Sequence, residues 1–155
     1  MDDHGALTAL TTLARALVDD SLYMTLGTAD EAGHPWVSPV YFAPVGYREF
    51  LWVSRTYRRH SQNLAVRPEV SIVIFDSTVP INTGRAVYVD GLAGEVPADL
   101  LADRLEHYSH RAVAHGSSPV TVAEVTGAVP HRLYRATATH IWALDENDDR
   151  IPVTP

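Results

Sequence analysis

The stretch TYRRHSQNLAVRPEV, residues 56–70, carries the sequence's most concentrated chemistry. Leu64 follows His60 by one helical turn and Pro68 is a stop signal, so it reads as a short helix. Its opening turn holds Arg58, Arg59 and His60. A helix start carries partial positive charge and disfavours cations. Two arrangements reconcile the charges with the place. An anion such as a phosphate can sit on the free backbone N–H groups and the guanidinium forks, with Ser54, Arg55, Thr56, Ser61 and Asn63 close by. Alternatively, the arginines reach into water or pair with some of the 19 acidic residues. A second feature lies in WVSPVYF, residues 36–42, where Pro39 interrupts a convincing strand. Proline donates nothing to a ladder, so this strand is an edge, carries a bulge, or faces a flat ligand along Ser38–Val40.

Other constellations carry less. His107 and His110 lie three apart, with His115 beyond them. No H-E-x-x-H motif accompanies them, so they read as surface or interface histidines and no metal site is assigned. Haem ligation by one of the eight histidines leaves no spacing signature. Trp36, Trp52 and Trp142 read as core or interface residues, with Trp36 the one that could flank a flat cofactor. No G-x-S-x-G surrounds a serine, and no G-x-G-x-x-G follows the first strand.

The elements that must position these residues follow from periodicity. Leu7, Leu10, Leu13, Leu17 and Val18 form one helical stripe within residues 6–18. Strands are expected over 22–29 and 36–43, joined by the turn DEAGHP, and over 50–54. VSIVIFD, residues 70–76, reads as a strand buried on both faces. In the strand 86–96, Gly91 and Gly94 signal a bulge or a close backbone approach. A second amphipathic helix is expected over 98–114 and a long strand over 131–144. The acidic tail from about residue 145 is expected to be mobile. Strands joined by tight turns make an antiparallel, mainly β (α+β) barrel with peripheral helices.

Composition narrows the classes. The 155 residues suit one domain, with 46% hydrophobic and 20% charged residues. A net charge of −7 argues against a nucleic-acid partner. No apolar run approaches the ~18 residues of a membrane span. Without cysteine there is no disulfide or thiolate chemistry. With no basic leader before the first apolar residues, the expected location is cytoplasmic.

Taken in order, LGTADEAGHPWVSPVYF, FLWVSRTYRRHSQNLAVRPEVSIVIFD and AVYVDGLAGEV resemble the pyridoxamine 5′-phosphate oxidase-like family of FMN-binding split barrels. Gly33-x-Pro35 opening a strand, and N-L-x-x-x-P-x-V from Asn63 to Val70, carry the resemblance, which runs from about Leu7 to Leu144. It implies one split-barrel domain over 1–155 and a homodimer with FMN at the subunit interface. Arg58, Arg59 and His60 match the family's phosphate-binding triplet, and Ser54 and Arg55 match a pair that also touches the cofactor. Ser38, Pro39, Val40 and Tyr41 would line the ring, Tyr41 being the one proton donor among them, and Arg85 falls near a glutamine used on the flavin. A charged His60 on the phosphate would have a raised pKa, with FMN affinity falling as pH rises. Ser38 and Ala43 stand where the oxidase has Arg and Lys, and Arg132-Leu133-Tyr134 lacks the histidine of its substrate-holding Arg-Leu-His. These departures point away from pyridoxamine phosphate oxidation and toward a flavin-dependent oxidoreductase acting on another small molecule. The same fold also serves deazaflavin-dependent reductases and flavin- or haem-binding carriers or sensors.

Overall fold

The N-terminal stripe forms helix α1, Asp3–Asp20, in the computed structural model of the protein, which describes residues 3–155. Ala14 and Val18 are buried and Leu10 and Leu17 pack beside them, while Leu7 stays exposed. Strands β1 (Tyr23–Ala29) and β2 (Pro35–Tyr41) follow as a hairpin. Its turn closes through Asp30, whose carboxylate accepts from the His34 backbone N–H at 2.9 Å, and through Gly33, whose φ of 88° only glycine adopts cheaply. The expected second strand breaks at Phe42. Residues beyond it form β3, Ala43–Val45, which pairs with β4, Glu49–Arg55.

Helix α2 (Arg59–Val66) precedes β5 (Glu69–Phe75) and β6 (Ala86–Glu95). Helix α3 spans Ala98–Ala114, a 3-10 turn Val122–Val125 interrupts the loop after it, and β7 spans His131–Leu144. Every strand pairing is antiparallel, in the order β2-β1-β5-β6-β7-β4-β3. The two edge strands, β2 and β3, are separated in the chain by Phe42 alone. That short link draws the edges together and curls the sheet into a split barrel. Pro39 is accommodated because β2 is an edge.

One cluster fills the barrel, with Met24, Leu26, Phe50, Trp52, Ile72 and Val89 among its members. A second, including Leu51, Leu105, Ala112 and Leu133, packs under α3. Arg104 of α3 donates to both Glu49 oxygens at 3.0 Å, tying the helix to β4. Arg111 Nη2 donates to the carbonyls of Asp19 and Ser21 at 3.0 and 2.9 Å, closing the end of α1.

Two expectations are corrected. Strand β5 is buried on one face only: Val70, Ile72 and Ile74 point inward, whereas Ser71 and Phe75 are exposed. Among the described residues no helix covers its outward face, so its apolar run does not mark two-sided burial. The tail is also ordered. Strand β8, Arg150–Pro152, pairs with β7, and Val153 is buried in the barrel cluster. The expectation for this strand holds at Gly91, where the β6–β7 register shifts after Asp90 and a Cβ would lie 2.5 Å from the Thr137 carbonyl oxygen, and fails at Gly94, where a Cβ would meet nothing within 4 Å.

Candidate functional site

The end of β4 feeds directly into α2, so the basic residues gather where strand becomes helix. Arg58 is the extended N-cap residue and offers no side-chain cap. The backbone N–H groups of the first turn therefore lack intrahelical acceptors, and no acidic residue stands in that turn. Tyr57 and Trp36 supply flat surfaces for the arginines. The Arg59 guanidinium lies 4.4 Å over Trp36, and those of Arg58 and Arg55 lie 5.5 and 6.0 Å from the Tyr57 ring centre. Arg55 Nε also donates to His131 Nε2 at 3.2 Å. Among the described residues, none of these three arginines forms an ion pair with a carboxylate. Pairing with the chain's many acids is therefore not what stabilises them.

His60 behaves differently from its neighbours. It is buried, with Nε2 2.7 Å from Ser54 Oγ and Nδ1 3.2 Å from Ser38 Oγ. In a neutral imidazole one nitrogen donates and the other accepts, so one serine receives a hydrogen bond and the other gives one. His60 thus spans the split between β2 and β4. Burial, and secondarily the Arg58 charge, hold its pKa below the ordinary imidazole value. The chain's own groups do not raise the His60 pKa: the ring is withdrawn from water and its two nitrogens face hydroxyls. Asn63 completes the seam, its Nδ2 donating to Thr28 Oγ1 at 3.0 Å.

Strand alternation divides the expected ring-lining group. Ser38 and Val40 face the barrel side, whereas Pro39 and Tyr41 face the opposite way. Tyr41 reaches a separate hollow of about 290 Å³ near the end of α3. Its hydroxyl lies 2.9 Å from His115 Nδ1, and its ring meets those of Tyr23, Tyr108 and His115 edge-on. Burial raises the Tyr41 pKa against the opposing Arg111 charge, and pushes that of Tyr108 up to about 12. Arg85 lies apart from the α2 group, on the wall of a cavity of about 770 Å³ with Phe75, Tyr88 and Asp145.

The structure therefore brings Ser38, Ser54, Arg55, Arg58, Arg59, His60 and Asn63 together around α2. His107 donates to the Pro44 carbonyl at 2.7 Å while His115 meets Tyr41, so the helix histidines do not converge. Sequence reasoning did not reach Tyr57, His131 or the Tyr41–His115 contact. His131 stands opposite Arg55 across β4–β7, a pairing visible only once the register is known.

The family model described as pyridoxamine 5′-phosphate oxidase matches residues 10–145. No curated protein matches the sequence significantly. Among solved structures, a haem-binding protein from Mycobacterium smegmatis superposes with a TM-score of 0.73 at 18% identity, covering 99% of this chain and 59% of that one. The present chain thus spans well under two thirds of that protein's length. An FAD-binding protein from Mesorhizobium loti gives 0.65 at 18% identity, covering 85% and 91%. An F420 reductase gives 0.59 at 22% identity, covering 83% and 94%. At such identities these likenesses speak to the fold, and the fold is the split barrel. Among the described residues no helix is long and apolar enough to cross a membrane. With the family match spanning nearly the whole barrel, the chain belongs to the pyridoxamine 5′-phosphate oxidase family.

Proposed function

We propose that the protein is an FMN-dependent oxidoreductase whose cofactor phosphate sits at the start of α2. The observation that carries this reading is the group of three arginines, without carboxylate partners among the described residues, around a helix start with free N–H groups. Arg58 and Arg59 grip the phosphate, Ser54 and Arg55 hold the ribityl chain, and Asn63 fixes the helix to β1. Neutral His60 keeps Ser38 and Ser54 in place and contributes no charge. The edge of β2 over Ser38–Val40 borders the ring, and Tyr41, facing the other way, borders the substrate hollow beyond it. When bound, the flavin supplies hydride transfer, while the chain provides placement, electrostatics and exclusion of water.

Two copies complete the site. The outward sheet face exposes Tyr23, Val37, Phe75 and Leu92 at 61%, 59%, 49% and 51% of their surface, an apolar area suited to a second copy. Arg85 then serves the cofactor bound mainly by the partner subunit. The substrate enters the hollow beside Tyr41.

Fluorescence titration with FMN tests the assignment. Arg59→Ala is expected to weaken binding by about 1.5–3 kcal/mol, roughly ten- to a hundredfold, through loss of a charge-assisted bond. Unchanged affinity overturns the phosphate assignment. Deazaflavin coenzyme and haem, run in the same titration, are the competing ligands, and tighter binding of either changes the cofactor.

A further inference from the structure

The hollow at the far end of β2 has an unusual lining. Its walls include Leu22, Tyr23, Tyr41, Tyr108, Ala112 and His115. No carboxylate, lysine or arginine lines it. The Arg111 guanidinium stands behind Tyr41 and acts on its hydroxyl, while its Nη2 is held by the carbonyls of Val18, Asp19 and Ser21 and its charge lies 5.6 Å from the Phe42 ring centre. A phosphorylated or carboxylated substrate would meet no permanently charged side chain in the wall itself and would lose its hydration. Three phenol rings and an imidazole instead suit a neutral, planar molecule bearing an acceptor oxygen.

One contact in the hollow is equipped to move a proton. Tyr41 Oη and His115 Nδ1 are 2.9 Å apart. Tyr41 is partly buried, and His115 is the exposed C-cap residue of α3, open to water. When the imidazole donates Nδ1–H to the phenol oxygen, the phenol O–H is free to turn into the hollow. Burial favours the protonated phenol. The titratable and charged groups facing the pair are Tyr23 and Tyr108 across the rings and Arg111 beside Tyr41.

We infer that Tyr41 and His115 form a proton-delivery couple for a neutral, quinone-like acceptor bound in this hollow. The inference rests on the proposed flavin reading for its reductant. The acceptor gains a hydride from the reduced cofactor, which is oxidised, and one proton from Tyr41, so a quinone leaves as the hydroquinone. The Tyr41 O–H bond breaks as the acceptor O–H bond forms. His115 then passes its Nδ1 proton to the phenolate oxygen as its other ring nitrogen takes a proton from water, so the imidazole stays neutral, and exchange with water restores the Nδ1–H form. Tyr41 touches the substrate; His115 acts through it.

Two measurements test the couple, using menadione as the probe. The first needs no cofactor: quenching of intrinsic fluorescence reports menadione binding to the protein alone. Tyr41→Phe is expected to weaken it about three- to tenfold through loss of one hydrogen bond, and 1,2-naphthoquinone-4-sulfonate is expected to bind at least tenfold more weakly than menadione. Equal affinity in Tyr41→Phe, or equal affinity for the sulfonate, overturns the inference. The second compares turnover of menadione with that of ferricyanide, which accepts electrons without a proton. In Tyr41→Phe the ratio of menadione to ferricyanide rates is expected to fall about a hundredfold. His115→Asn is expected to lower the same ratio, by less than Tyr41→Phe does, because the phenol then loses its route of reprotonation. A wild-type ratio in either variant overturns the couple. Failure of the flavin reading shows instead in the wild type, as absence of turnover with either acceptor.

Discussion

Acidification should unfold this protein partly through His60, and the geometry gives both the sign and the ceiling of the effect. Both ring nitrogens face serine hydroxyls at 2.7 and 3.2 Å. Hydroxyls accept as well as donate, so a protonated ring could keep both contacts. The cost of charging lies in lost hydration first and in repulsion from Arg58 second. The folded pKa therefore lies below the ordinary value of 6.5. As pH falls, the unfolded chain takes up the proton before the folded one does. The stabilisation from His60 is complete above about pH 6.5, declines as pH drops toward the folded pKa, and is level below it. One proton sets the steepest slope, about 1.4 kcal/mol per pH unit. Urea unfolding followed by tryptophan fluorescence at several pH values measures it. The comparison is with His60→Gln, whose amide can donate to one serine and accept from the other without titrating. The remaining histidines contribute equally to both proteins, so the difference in slope belongs to His60. Arg58→Ala in the wild-type background should narrow the window by removing the second cause. Identical slopes for wild type and His60→Gln, or stability that rises on acidification because of His60, refute the reasoning. Under the flavin reading, bound FMN places an anion near the ring and should likewise shrink the window.

Three further perturbations probe the frame that holds the site. Gly91→Ala forces a Cβ to 2.5 Å from the Thr137 backbone oxygen at the β6–β7 irregularity, and should cost about 1–3 kcal/mol or more in denaturant unfolding. Val153→Ala should cost about 1–3 kcal/mol, since the side chain fills the barrel; no loss would return the tail to a mobile segment. Glu49→Gln should cost about 1–2 kcal/mol after allowance for partial exposure, because it weakens two Arg104 contacts. The Glu49 carboxyl is held below its ordinary 4.5 chiefly by Arg104, so its stabilisation is present above that value and is lost as pH falls through the folded pKa. An unchanged acid limb in Glu49→Gln would remove it from the balance.

What the sequence made legible was local. Helix α3 and strand β7 span the expected residues because their periodicity runs without interruption. Pro39 pointed to an edge, a bulge or a flat ligand, and Gly91 to a bulge or a close approach, because each is a backbone constraint that needs no partner to be recognised. What failed was context. His60 read as a third cation because it sits beside two arginines. Its burial depends on Ser54, six residues back, and Ser38, twenty-two residues back, and only the closed barrel brings them together. The apolar run of β5 gave no sign of which face lacks a cover within one chain. In the tail, Ile151 and Val153 were masked by the acidic residues before them.

Strand β2 is where these threads meet, and its alternation explains how one edge can serve two chemistries. Toward the barrel, Ser38 is fastened through His60 to Ser54, which sets the strand against the basic start of α2. Three residues on, about 10 Å along an extended strand, Tyr41 faces the other way and is fastened to His115 at the end of α3. Both faces of the edge are thereby held by side chains from different helices. Between the two fastenings stands Pro39, which removes one donor from the outer rim and makes the edge a poor template for another strand. An edge that is rigid yet unreceptive to a protein strand keeps a flat surface open to a small molecule. It holds that surface between a cationic group on one side and an uncharged aromatic hollow on the other. A cofactor with a charged tail and a neutral reactive ring matches that division of labour, and so does a substrate that must bring no charge of its own.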